Sequence, residues 1–132
     1  MTSETASDLG SVPPPSSPQF PTQSASDRLW GVLCHLSFFF GLAVISFVFP
    51  LVVYLVMRGD SPYVTHHARE ALNFHLSLLL YFICCVPLCF IGVGFVLLAA
   101  IAITGLVCSI VAAVKASKGT YYQYPITIRF VS

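Results

Sequence analysis

The chain has 132 residues, of which 57% are hydrophobic and 8% are charged, and its net charge is +1. Soluble domains usually carry about a quarter charged residues. So few charges leave most of the outer surface apolar, which is stable where the surrounding solvent is lipid. The near-neutral charge provides no field that would recruit nucleic acid. The composition therefore predicts an all-α integral membrane protein.

The first segment, from Met1 to Asp27, is rich in Ser, Thr and Pro and has few large apolar side chains. Such a segment cannot bury enough surface to offset the entropy lost on ordering. We expect a disordered tail over residues 1–27. Its acidic and polar start does not have the order of charges found in a signal peptide.

The first apolar segment extends from Leu29 to Met57. As one helix it would be about 43 Å long, well over the ~30 Å hydrocarbon core of a bilayer. A kink or break is expected at Pro50, which lacks a backbone N–H. Two geometries fit, namely one tilted and kinked helix, or a hairpin whose arms of roughly 20 Å are each too short to cross. The single helix is simpler and is favoured.

An amphipathic entry helix is predicted to begin at Ser61, the N-cap, with Pro62 in the first helical position. It leads into the second apolar segment, from Phe74 to Phe90. Polar residues at helical spacing share one face of this helix. We call this set the polar stripe, and it could dock a partner: His66, Arg69, Glu70, Asn73 and Ser77.

The third apolar segment, from Phe95 to Val114, follows an uncharged turn that contains Gly92 and Gly94. Small residues recur along it and would let another helix approach closely in lipid. The neighbour could be another segment of this chain or a second copy. The predicted packing residues are Ala100, Thr104, Gly105, Ser109, Ala112 and Ala113. The three apolar segments and the entry helix form a predicted helical membrane domain over residues 28–120.

Residues 121–132 are predicted to form a Tyr-rich interfacial tail. Aromatic side chains concentrate at membrane–water interfaces, and the predicted anchors are Trp30, Tyr121, Tyr122 and Tyr124. From Ile126 to Phe130 the sequence alternates like a short strand. A lone strand is not stable by itself, so we expect this piece to lie at the membrane surface.

Basic residues flank the apolar segments unevenly. They occur in the loop after the first segment and in the C-terminal region, whereas the Gly92 turn has none. Because basic residues tend to remain in the cytoplasm, the region from Arg58 to Asn73 and the C-terminal tail are predicted to be cytoplasmic. The expected location is a bacterial inner membrane. The N-terminal tail would be exported in the single-helix geometry and would stay inside in the hairpin geometry.

Histidines and cysteines within the apolar segments raise the question of a metal or haem site. His35 and His75 could come close in a bundle, and Cys84, Cys85 and Cys89 lie together in sequence. None of these residues has a familiar ligand spacing, so packing and interfacial hydrogen bonding are the favoured roles. The sequence also lacks a recognisable catalytic arrangement. We expect no enzyme activity, no cofactor and no metal site.

Several short motifs occur along the chain: His35-Leu36-Ser37, Pro50-Leu51 before Tyr54-Leu55, Ala68 to Phe74, Lys115-Ala116 with Gly119, Tyr124-Pro125 and Ile128-Arg129. Together they resemble a family of small bacterial membrane proteins of unassigned function. That family is similar to the channel-like Tic component of the chloroplast inner-envelope import machinery, and some magnetosome-membrane proteins resemble it too. The resemblance implies a multi-pass helical protein and, more remotely, a part in translocation or membrane-complex assembly. The plastid relatives have four spans, so the hairpin geometry of the first apolar segment remains an alternative. Two positions depart from the family pattern. His75 stands where the family often has Gln, and Thr120 stands where an acidic residue often follows the glycine.

Two functions are compatible with these features. The favoured one is a membrane scaffold or assembly factor that docks a membrane-protein partner, or a second copy, through the entry helix and the Tyr-rich tail. The alternative is a small oligomeric channel or transporter lined by the polar stripe together with His35. A pore needs polar residues through the midplane, and the third segment offers mainly Thr104 and Ser109.

Overall fold

The computed structural model describes residues 23–40 and 43–132, and within these ranges the chain is helical, without strands. Most of the predicted N-terminal tail, residues 1–22, lies outside the described residues. The first helix begins at Ala25 because the Ser24 hydroxyl caps it, accepting a hydrogen bond of 3.0 Å from the amide of Asp27. The helices are α1 (Ala25–Leu36), α2 (Ala43–Met57), α3 (Pro62–Leu88) and α4 (Val93–Ser117).

The first apolar segment is a helical hairpin rather than one kinked helix. A 3-10 turn at Ser37–Phe40 ends α1. The chain then reverses, so that Trp30 of α1 stacks on Phe49 of α2 with ring centroids 6.4 Å apart. Trp30 and Met57 pack on the same cluster of buried residues. The favoured single helix is therefore wrong, and the hairpin alternative describes this segment.

Of the kink or break expected at Pro50, the break does not occur, because α2 continues through this residue. A proline in a helix leaves the carbonyl of the residue four positions earlier without its usual donor. Here that carbonyl belongs to Ser46, and the Ser37 hydroxyl lies 3.1 Å from it. Because the same hydroxyl also lies 2.7 Å from the Cys34 carbonyl, its one proton is shared, and the turn between α1 and α2 replaces the missing donor only in part.

Helices α3 and α4 form the long part of the molecule, and both are long and apolar enough to cross a membrane. The Ser61 hydroxyl caps α3 by accepting from the Val64 amide at 3.3 Å, and Pro62 is the first helical residue, as the sequence predicts. Gly92 joins α3 to α4 in the left-handed conformation, with φ 85°. At the turn the chain carries no charge.

The two ends of the molecule differ in width. At the wide end, α1, α2 and the C-terminal tail surround the start of α3 and the end of α4. At the narrow end, α3 and α4 extend beyond the other described elements to the Gly92 turn, where Phe90 is 94% and Val96 71% exposed. All six basic residues of the chain lie at the wide end: Arg28, Arg58, Arg69, Lys115, Lys118 and Arg129.

Candidate functional site

The polar stripe on α3 binds the C-terminal tail of the same chain. Asn73, which is 1% exposed, makes the most contacts. Its Oδ1 accepts from the amides of Phe130 and Val131 at 3.0 and 2.8 Å, and its Nδ2 donates to the Val131 carbonyl at 2.9 Å. One amide side chain therefore bonds the tail backbone as a neighbouring strand would.

Two further hydroxyls of α3 continue this pattern toward the narrow end. Ser77 Oγ accepts from the amide of Ile128 at 2.8 Å. The Tyr81 hydroxyl donates to the Ile126 carbonyl at 3.3 Å. Because the backbone of a helix is engaged in its own hydrogen bonds, α3 can bond the backbone of the tail only through its side chains. The polar stripe thus holds the tail against α3 within the monomer.

Glu70 is the charged member of this face and is 2% exposed. Its Oε2 accepts from the amide of Tyr124 at 3.3 Å, and its Oε1 lies 3.9 Å from Nη2 of Arg129. A buried carboxylate is costly unless it is paired and hydrogen-bonded. The tail provides both partners, so Glu70 and the tail depend on each other.

The tail runs beside α3, turns at Pro125–Ile126 and comes back. Its backbone faces the polar stripe, whereas Ile126, Ile128 and Phe130 are 58%, 43% and 53% exposed. The alternation in the sequence therefore corresponds to an extended segment whose hydrogen-bonding partners are helix side chains. The exposed polar side chains of the tail are Gln123, Arg129 and Ser132, and its other exposed side chains are aromatic or apolar. We call the tail and the polar stripe together the tail seam.

A buried chain of three side chains connects the tail seam to the helical hairpin. The Tyr124 hydroxyl lies 2.9 Å from Nδ1 of His35, and Nε2 of His35 lies 2.9 Å from Nδ1 of His67. Burial raises the pKa of Tyr124 well above its ordinary value, so its hydroxyl keeps its proton. When this hydroxyl donates to His35, the other nitrogen of that ring carries the hydrogen that His67 accepts. Three chain segments are thereby bonded at one point.

Two contacts hold the start of the tail near the beginning of α3. The Tyr63 hydroxyl donates to the Ala116 carbonyl at 2.7 Å, at the end of α4. His66 Nε2 lies 3.1 Å from the Tyr122 carbonyl. The Ala116 carbonyl also accepts from the Gly119 amide at 3.1 Å, so Tyr63 adds a second hydrogen bond to it. These contacts fix the direction in which the tail leaves α4.

Replacing Tyr124 by phenylalanine tests the role of its hydroxyl. The ring should stay stacked on Phe74, whose centroid is 4.0 Å away, while the bond to His35 is lost. We expect the free energy of unfolding in detergent to fall by about 1 kcal/mol. Tyr122→Phe is the matched control, since Tyr122 is only half-buried. Equal effects of the two substitutions would show that the bond to His35 contributes nothing.

The predicted packing residues of α4 divide into two groups. Gly105, Ser109, Ala112 and Ala113 are buried, whereas Ala100 and Thr104 are exposed. A Cβ added at Gly105 would lie 3.1 Å from the ring of Phe38. The buried group therefore packs inside the monomer, against the hairpin and α3, and the exposed pair lies nearer the narrow end.

The predicted anchors also differ among themselves. Tyr121 is 51% exposed, Trp30 and Tyr122 are half-buried, and Tyr124 is buried at 5%. Tyr124 therefore belongs to the interior and not to an interfacial belt. Arg69, the remaining stripe residue, is half-buried. Sequence reasoning missed Tyr63 and Tyr81 because a tyrosine near an apolar segment has the same pattern whether it packs or bonds a distant carbonyl.

A cavity of about 580 Å³ lies between the hairpin and the long helices. Phe38 and Phe47 of the hairpin, Phe82 of α3 and Leu98 of α4 are among its lining residues. His75 also lines it, but Nδ1 of this ring bonds the Ala71 carbonyl of its own helix at 2.7 Å. His35 pairs with His67 and not with His75, contrary to the juxtaposition considered from the sequence. The cavity is thus an apolar space near the hairpin turn.

Comparison with known proteins gives one match. A family model described as the magnetosome magnetite crystal formation protein family, MamF/MmsF, matches residues 26–131. This agrees with the expected likeness to magnetosome-membrane proteins, whereas a likeness to the Tic component is not shown. No curated protein and no solved structure matches the chain. The match begins one residue inside α1 and covers the other described helices in full. The two long apolar helices accord with a membrane protein.

Proposed function

The chain belongs to the magnetosome magnetite crystal formation protein family, and from this premise we propose that it is a membrane scaffold or assembly factor in that process. In this proposal it is not an enzyme. It holds other membrane proteins, or further copies of itself, in place at the membrane. The translocon-like role suggested by the Tic resemblance is a remoter form of the same idea and would use the same wide end.

The proposed membrane position follows from length and charge. On α4, the residues from Val93 to Val114 would extend about 33 Å, close to the ~30 Å hydrocarbon core. Lys115 follows directly, and the other basic residues lie at the same end. Under the positive-inside rule the wide end is cytoplasmic and the Gly92 turn is on the opposite side. With the hairpin geometry, residue 23 is also placed on the cytoplasmic side.

The tail seam is the observation that carries the scaffold proposal. Glu70, Asn73 and Ser77 are all bonded to the tail of their own chain. The stripe then serves to build a fixed surface at the wide end, and a channel lined by it would first have to release the tail. What this surface offers to a partner is a set of exposed aromatic and basic side chains, including Tyr121 and the half-exposed Arg129.

Site-specific photocrosslinking in native membranes tests the proposal. A photoreactive residue replaces Tyr121 at the wide end or, as the matched control, Val96 at the narrow end, which is 71% exposed. We expect protein adducts from position 121, either with another protein or with a second copy, and mainly lipid adducts from position 96. Lipid adducts alone from both positions would contradict a docking role for the wide end.

A genetic experiment tests the link to the family's process. Removal of the chain from a magnetosome-forming cell should change the number or size of its magnetite crystals, and expression of the chain should restore them. Unchanged crystals after removal would contradict a role in crystal formation, whatever the crosslinking shows.

A further inference from the structure

The unequal ends of the molecule have a consequence for the lipid around it. At the wide end the hairpin and the tail add to the cross-section of α3 and α4. A helix is about 10 Å across, which corresponds to roughly 80 Å². Four helices therefore occupy about twice the area of two, before the tail is counted. The shape in a bilayer would be a wedge.

Described residues of both added elements lie near the same depth. The hairpin turn reaches Gly105, because the Phe38 ring lies 3.1 Å from the position of a Cβ at that residue. The turn of the tail lies by Tyr81 and Thr104, with Pro125 and Ile126. Counted from Lys115, residues 104 and 105 are about 15 Å along α4, half of a ~30 Å core. Most of the described added width thus lies in one leaflet.

The surface of the added elements suits contact with acyl chains. Backbone that is not helical can enter a bilayer only when its polar groups are satisfied by protein. The polar stripe and Tyr81 do this for alternate residues of the tail, from Tyr124 to Val131, while the side chains of Ile126, Ile128 and Phe130 face outward. On the hairpin, Phe39 and Phe40 at the turn are 48% and 65% exposed. The tail and hairpin therefore fit a place within the leaflet.

We propose that the protein is a wedge that prefers strongly curved bilayers, with its wide end in the outer, convex leaflet. A leaflet that bends outward has the larger area at that face, so it accommodates the wide end with less deformation of the lipid. With the wide end cytoplasmic, the fitting partner is a small vesicle whose outer leaflet faces the cytoplasm. The inference rests on the membrane insertion proposed above.

Sorting between vesicles of different size tests the wedge. The purified full chain, labelled on its N-terminal segment, is inserted from detergent into preformed vesicles of one phosphatidylcholine and phosphatidylglycerol mixture. Small sonicated and large extruded vesicles are mixed, and protein fluorescence per lipid is read for single vesicles. A separate portion of each preparation is digested by protease from outside, and preparations that lose the label, and so have the N-terminal segment outward, are used for the measurement. We expect severalfold higher protein density in the small vesicles. Equal density, or preference for the large ones, would overturn the proposal.

A pair of variants separates shape from simple insertion. The double substitution Asn73→Ala and Ser77→Ala removes the side chains that hold the tail, and it should weaken the preference for small vesicles. Ser117→Ala is the control, because its exposed hydroxyl bonds only Val114 of its own helix. An unchanged preference in the double variant would exclude the tail from the wedge. Sorting needs no partner and no mineral, so its failure would be distinguishable from failure of the scaffold role.

Discussion

Replacing Gly94 by alanine is expected to prevent α3 and α4 from closing at the narrow end. A Cβ at this position would lie 2.6 Å from the Cys85 carbonyl oxygen and from the Leu88 carbonyl carbon, and closer still to the Cys89 amide nitrogen. All three are backbone atoms, which cannot move aside as the end of a side chain can. We expect a loss of roughly 3 kcal/mol, the upper end of the range for overpacking, measured as unfolding free energy in detergent.

Two other glycines provide matched controls for this substitution. A Cβ added at Gly59 would have no atom within 4 Å, and the φ of this residue is ordinary, so Gly59→Ala should change stability by less than about 0.5 kcal/mol. Gly92 also has open space but a φ of +85°, so Gly92→Ala should cost about 1–2 kcal/mol through backbone strain alone. If Gly94→Ala were no worse than Gly92→Ala, the close approach at the turn would not matter.

The course of the helices could be read from the sequence where the local signals are strong. Ser61 followed by Pro62 predicts the start of α3, and the structure begins the helix there. The uncharged glycine turn before α4 is likewise where the sequence places it. Such signals depend on a few neighbouring residues, namely a capping hydroxyl, a proline ring and a glycine with positive φ.

The hairpin shows why the path of the first apolar segment could not be predicted from the sequence. Pro50 is the strongest breaker in the first apolar segment, yet α2 passes through it. The reason is non-local, because the hydroxyl of Ser37 reaches the carbonyl that Pro50 leaves without a donor. No pattern within α2 reveals that bond. The break instead falls at Ser37–Phe40, where one serine is followed by three phenylalanines, a weaker local signal than Pro50.

The sequence predicts the polar stripe correctly as one face, but it does not predict the partner of that face. Helical spacing places Glu70, Asn73 and Ser77 together. Their partner is backbone more than fifty residues later in the chain, and backbone groups are present in every residue, so the tail carries no mark of the contact. The pairing of His35 with His67 is also non-local, because the two rings are 32 residues apart in the chain and match no ligand spacing.

Replacing Asn73 by alanine should release the end of the tail while leaving the helices in place. The substitution removes all three hydrogen bonds to Phe130 and Val131. A buried polar group that is left without a hydrogen-bond partner costs about 1–3 kcal/mol. The tail can recover part of this free energy by moving into water. We therefore expect fast hydrogen exchange at the amides of residues 128–131 in nanodiscs, and slow exchange there in the parent chain.

Two controls show whether Asn73 acts through these bonds. Asn73→Asp keeps the oxygens that accept from the two amides but loses the donor to the Val131 carbonyl, so its exchange should be intermediate. Ser117→Ala, at an exposed site, should leave the tail protected. Protection that persists in Asn73→Ala would mean that Glu70 and Tyr124 hold the tail without the amide. In that case the extended segment would be fixed by its first half, since the Tyr124 hydroxyl and amide are both bonded upstream of the Pro125–Ile126 turn.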